Sequence, residues 1–312
     1  MTSMILSFNA IFPLLAFMLL GYCLRRVGLI DRETTPGLNK LVFNVLLPCN
    51  IINSVYSADI KSDFDYKIAF FAAAVCILSF AVCSLIVNPI EKDRTVSPVI
   101  IQGICKSNYN LLVIPIASSF FGAELGMAAI LVMVTSPLVN TCSTIVFETA
   151  RGRHAGFLPV LKKVLLNPLV LSSIIALLLN CLGLKVPGVI MNGVVSKLSS
   201  AATPIAMIAL GAGFDFPAMK KWKKHLTAVC VFKLLVMPAV WVGIAAAAGI
   251  RGANLIAILV LSGGPAAVNS YSTAVSMGGN SELAGEIVAI TSLFSVLTLF
   301  AFLTGLGSLG FI

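Results

Sequence analysis

Ten apolar runs, each about as long as a bilayer-crossing helix and each bounded by charge, Pro or Gly, dominate the chain. They occupy roughly 4–24, 38–58, 67–89, 98–120, 126–147, 164–184, 195–214, 226–249, 253–277 and 284–306. A helix needs about 20 predominantly apolar residues to cross the hydrocarbon core. The 312 residues therefore hold ten spans with short connections and leave no room for a large cytoplasmic catalytic domain. Composition agrees, with 59% of residues hydrophobic and 11% charged, against about 45–50% and 25% in soluble globular domains. The fold class is an all-α membrane protein. The first run resembles a signal peptide in being apolar, but it is too long and has no basic n-region, and Arg25 and Arg26 follow it rather than precede it. It reads as a first spanning helix.

The +9 net charge then predicts orientation rather than a nucleic-acid partner, because Lys and Arg collect in the cytoplasmic loops of membrane proteins. With the N-terminus outside, fourteen of the 21 basic residues fall in inner loops and five in outer loops, with Lys106 and Lys233 left inside helices. The expectation is a multi-pass protein of the cell membrane with both termini outside and residues 150–163 in the cytoplasm. The eight cysteines lie in apolar stretches without a CxxC pair, which argues against a disulfide framework or zinc site. His154 and His225 sit among basic residues with no ligand partner. No cofactor and no metal is expected.

The fourth and ninth runs are interrupted. VIIQGICKSNYNLLVIPIASSFFG carries Lys106, Ser107, Asn108 and Asn110, then Pro115; ILVLSGGPAAVNSYSTAVSMGG carries Gly263, Gly264, Pro265, Asn269, Ser270 and Ser272. Pro removes a backbone donor and clashes with the preceding turn, while Gly tolerates non-helical torsions. Unwound backbone at membrane depth persists only where it is buried in protein or lines a watered cavity. Both runs are fourth in their half of the chain, dividing near residue 155 within the basic connection ETARGRHAGFLPVLKK. Halves of five helices have opposite orientation, the arrangement of inverted-repeat transporters that bind substrate near the midplane. Residues 1–155 and 156–312 are the expected repeats.

These stretches resemble the auxin efflux carrier family, in its bacterial malate-permease-like branch. LNKLVFNVLLPCNI at 38–51 resembles the family's Asn-Lys-then-Pro pattern, Lys106 through Pro115 its basic-Ser-Asn-then-Pro pattern, and GPAAVNSYSTAVSMGGNSELA at 264–284 its Pro-Ala-Val-Asn followed by Gly-Gly and Glu-Leu-Ala. The resemblance implies two inverted five-helix repeats whose fourth and ninth helices cross, a scaffold of helices one, two, six and seven, and a mobile domain of the other six. It implies elevator-like movement of a small organic anion, commonly a carboxylate, by a homodimer in the lipid bilayer. Asn110 and Val113 stand where glycines are usual, and Ser270 where plant members carry proline, so auxin is not the expected substrate.

Lys106, about eight residues into its run, suits a substrate carboxylate, with snorkelling as the alternative. Lys233 has no adjoining polar cluster in the sequence. Asn39 and Lys40 form a candidate support site on the family resemblance, with Lys40 equally an inside anchor. Glu286 is placed near a solvated inner helix end; as a proton-coupling group it would need a buried carboxylate. The expected substrate residues are Lys106, Ser107, Asn108, Asn110, Pro115, Gly264, Pro265, Asn269 and Ser270, with a proton or sodium ion as coupling partner. Competing classes are a membrane enzyme of lipid or isoprenoid substrates and a bile-acid-type sodium symporter. The first lacks acidic clusters and His ligands here.

Overall fold

A computed structural model of the chain describes residues 2–31, 34–56, 66–109, 112–113, 126–152, 157–214 and 218–312. Asn110, Pro115, His154 and Asp215 lie outside the described residues. The described residues are helical apart from turns, short extended stretches and one isolated β-bridge. Besides a single helical turn at Ala218–Lys221, the helices are α1 (Thr2–Arg26), α2 (Thr34–Tyr56), α3 (Tyr66–Ile90), α4 (Ser97–Cys105), α5 (Gly126–Arg151), α6 (Phe157–Leu165), α7 (Pro168–Cys181), α8 (Gly188–Gly213), α9 (Lys223–Ala247), α10 (Gly252–Gly263), α11 (Asn269–Ser276) and α12 (Ser281–Ser308).

Among them α2, α3, α8, α9 and α12 are long and apolar enough to cross a membrane, and α7 and α10 are shorter apolar helices. Their outer faces carry large exposed side chains such as Phe70 and Leu85 on α3, Leu171 and Leu178 on α7, and Leu235 and Val240 on α9. Water would penalise apolar patches of this extent, and lipid does not. The chain is a multi-pass membrane protein.

Three helices contain a π-turn: α2 at Val42–Leu46, α8 at Met191–Val195 and α9 at Phe232–Val236. Two of these turns answer a proline. The amide before Pro48 reaches back to the carbonyl of Val42, and the amide before Pro238 to that of Phe232. The wider turn accommodates the missing donor and the ring clash without breaking the helix. Lys233 stands on the α9 turn.

Packing defines two groups. In the first, α1 lies along α8, and α2 along α7 and α8. A Cβ on Gly21 would collide with the Ile208 carbonyl, and one on Gly211 with the Met18 carbonyl, so this glycine pair lets two backbones touch. Asn180 Nδ2 on α7 donates to the carbonyl of Val55 at 2.8 Å, tying α7 to α2. In the second group α3 packs with α4 and α5, and α9 with α10 and α12, while α11 lies on α12. Contacts of α1 with α12 and of α5 with α7 join the groups.

Three expectations change. The basic connection near residue 155 includes a helix, α6, and Asn167 then caps α7 by accepting from the Leu169 amide at 2.9 Å. His225 sits in the first turn of α9, 3.0 Å from the Glu91 carboxylate. Glu286 is only 2% exposed rather than solvated, because the first turns of α12 run beneath α11, with Gly285 facing the Tyr271 ring.

Candidate substrate site

Helix α4 stops at Cys105 because Lys106 takes extended backbone angles, φ −99° and ψ 104°. Helix α10 stops at Gly263, with Gly264 extended at φ −65° and ψ 160°. The two freed segments pair with each other in an antiparallel bridge between Ser107 and Ala266. The Asn108 amide donates to the Pro265 carbonyl at 2.8 Å and the Ala267 amide to the Lys106 carbonyl at 3.0 Å. Polar backbone released from two helices is thereby satisfied away from water, as membrane depth requires.

Side chains from both flanking helices complete the crossing. The Ala266 amide donates to Thr291 Oγ1 on α12 at 3.0 Å. Lys233 Nζ donates to Ser107 Oγ at 2.5 Å, and that hydroxyl donates to the Leu261 carbonyl at 2.6 Å, an acceptor freed at the end of α10. Glycine supplies the clearance: a Cβ on Gly263 would sit 2.7 Å from the Pro238 ring, and one on Gly264 2.6 Å from the Val260 carbonyl oxygen.

The electrostatics favour an anion. Lys106 and Lys233 are 3% and 0% exposed, and no carboxylate forms an ion pair with either among the described residues. The carbonyl ends of α4 and α10, which carry partial negative charge, converge beside them and offset only part of the two lysine charges. A cavity of about 200 Å³ opens next to the crossing. Asn50, Asn53, Ser199 and Thr203 of the first packed group line it on one side; Lys106, Ser107, Asn108, Thr135, Asn140 and Asn269 line it on the other. Lys106 is the one charged residue among the described lining residues.

The family model for membrane transport proteins matches residues 6–303. The chain belongs to that family. It is the auxin efflux carrier family that the sequence motifs resemble. The transporter is 23% identical over 299 residues to an uncharacterized transporter of Methanothermobacter thermautotrophicus, covering 94% of this chain and 96% of the relative. It is 24% identical over 305 residues to an uncharacterized transporter of Methanocaldococcus jannaschii, covering 93% and 96%.

Of the residues expected from sequence, Lys106, Ser107, Asn108 and Asn269 meet at the cavity of the transporter. Gly264 and Pro265 belong to the crossing behind it, and Ser270 is buried one position beyond Asn269. Asn39 lies elsewhere, buried on α2 and accepting from Ser272 Oγ at 3.1 Å. Lys40 is exposed and Glu286 is buried on α12 beneath α11, and neither is among the residues lining the cavity. Asn110 and Pro115 are outside the described residues.

Asn50, Thr135, Asn140 and Thr291 carry no signal in the sequence beyond that of single polar residues that read as helix-to-helix glue. The sequence also places Lys233 away from any polar cluster. Its partner Ser107 is 126 positions distant in the chain, so the signal available was the mid-span charge alone.

Proposed function

We propose that this transporter is a secondary carrier of a small organic anion, a carboxylate, operating by elevator-type alternating access. One observation carries the proposal: the cavity lies between the two packed groups and offers Lys106 with no acidic residue among its described lining. A desolvated ammonium beside free amides attracts a carboxylate and repels a cation. The first packed group serves as scaffold, and the second carries the crossing past it.

The same proposal includes ten spans in two inverted repeats, 1–155 and 156–312. Packing supports it through matched pairs. Run one on run seven (α1 with α8) answers run six on run two (α7 with α2), and run three on run five (α3 with α5) answers run eight on run ten (α9 with α12). The carrier sits in the cell membrane with both termini outside, works as a homodimer, and couples to protons or sodium. Proteoliposome uptake of a labelled organic-acid panel, with proton and sodium gradients imposed separately, tests class and coupling together. Accumulation of at least one acid is expected; no flux of any acid under any gradient overturns the proposal. Orientation is tested by labelling a His154→Cys variant lacking the native cysteines, which is expected to react from the cytoplasmic side only.

A further inference from the structure

The polar atoms around the cavity form a two-sided set. Lys106 Nζ and Asn108 Nδ2 are donors, Asn140 Oδ1 and Asn269 Oδ1 are acceptors, and the Tyr109 hydroxyl can act as either. All five are buried without a hydrogen-bond partner among the described residues, and all belong to residues that line the cavity. Leaving one buried polar group unpaired costs about 1–3 kcal/mol, and more for a charged group. Five around one cavity are therefore a template for a ligand that brings both acceptors and donors.

The template discriminates among anions. A plain alkyl carboxylate satisfies Lys106 and Asn108 but turns hydrocarbon toward two carbonyl oxygens. A dicarboxylate sets its second negative charge against those oxygens. An amino acid supplies donors, yet its ammonium enters a cavity whose one charged described residue is Lys106, with no counter-charge. A neutral hydroxyl supplies one donor without adding charge, and two hydroxyls supply a donor for each amide oxygen. A volume of about 200 Å³ is on the scale of the roughly 150 Å³ cavity that takes one benzene-sized molecule, which suits a small acid.

We infer that the transporter selects a small hydroxy-monocarboxylate, its carboxylate held by Lys106 and Asn108, with one hydroxyl donating to the amide oxygen of Asn140 or Asn269 and a second hydroxyl, where the acid carries one, donating to the other. This rests on the cavity being the carboxylate site. A site built to pair with a substrate hydroxyl rejects the analogue that lacks it more strongly than an apolar pocket rejects a missing methylene, because its own buried acceptors go unpaired.

The test is calorimetric binding to the purified full-length transporter, using lactate, glycerate, propionate, succinate and alanine as probes. The tighter of lactate and glycerate is expected to bind at least tenfold better than propionate, with succinate and alanine weaker still. Asn140→Leu and Asn269→Leu are each expected to shrink the hydroxy-acid preference toward unity, while Lys106→Gln weakens hydroxy acids and propionate alike. The comparison of acids on the unaltered chain needs no variant to fold. Equal binding of propionate and the hydroxy acids, or tighter binding of succinate or alanine, overturns the inference while leaving a carboxylate carrier in place. Binding of none of the five overturns the carboxylate proposal and the inference with it.

Discussion

The two breaks at the crossing do opposite kinds of work. The ninth run breaks at Gly263-Gly264-Pro265, where absent side chains admit the Pro238 ring and the Val260 carbonyl and a hydroxyl from Thr291 catches one amide. The fourth run breaks at Lys106-Ser107-Asn108 without a glycine, and its side chains face outward into chemistry: Ser107 receives Lys233, while Lys106 and Asn108 line the cavity. One break is a backbone fit and the other is a binding surface. Stability and affinity should therefore separate between them.

The largest separation is expected at Lys106. Lys106→Gln should lower organic-acid affinity by roughly 2–5 kcal/mol, more than tenfold, as removal of one partner of a desolvated charge pair does. Thermal stability should hold or rise, because a buried ammonium without a carboxylate partner costs free energy in the empty protein. Lys106→Arg should retain binding but shift selectivity among acids, since a planar fork replaces a point charge. Unchanged affinity in the Gln variant across pH would reduce Lys106 to an anchor.

On the other break, Gly263→Ala should act on stability. The added Cβ meets Pro238 Cβ at 2.7 Å and Cγ at 2.9 Å, and a proline ring cannot rotate away. Overpacking of this kind costs about 1–3 kcal/mol, to be read as a lower melting temperature in detergent with the affinity of the folded fraction kept. A variant that melts normally but no longer binds would erase the contrast. Thr291→Val should cost a similar or smaller amount, about 1–3 kcal/mol, by leaving the buried Ala266 amide without its acceptor. Thr291→Ser should restore most of it, which a purely steric role for the threonine would not produce.

How far the sequence anticipates this arrangement depends on what sets each feature. Spans are dictated by local apolarity, so the runs at 67–89 and 284–306 become α3 and α12 with ends within a few residues. Both breaks are legible because Pro, Gly and Asn act on their own backbone. The partners that complete the crossing are not, because Lys233 and Thr291 are placed by packing between helices, and periodicity carries no record of that. Glu286 shows the same limit: its run has a solvated-looking end until α11 covers it. The amphipathic α6 was hidden in a basic linker because nine residues, Phe157–Leu165, fall below the length of a span.

The smallest expected effect bears on how the two groups move. Asn39 on α2 belongs to the first packed group and accepts from Ser272 Oγ on α11, in the second, at 3.1 Å. Its Nδ2 is engaged within its own helix by the Thr35 carbonyl at 3.1 Å. If the second group slides past the first during transport, the Asn39–Ser272 bond exists at one end of the cycle and is broken at the other. Deleting it removes a net stabilisation of about 1 kcal/mol from this conformation alone, which shifts a two-state equilibrium roughly fivefold. Asn39→Ala should therefore change the exchange rate of preloaded proteoliposomes about fivefold while equilibrium affinity for the acid stays within twofold, since Asn39 does not line the cavity. The opposite result, weakened affinity with an unaltered exchange rate, would assign Asn39 to substrate binding. The contact between α2 and α11 would then have to persist through the cycle, and the second group could not move as an elevator.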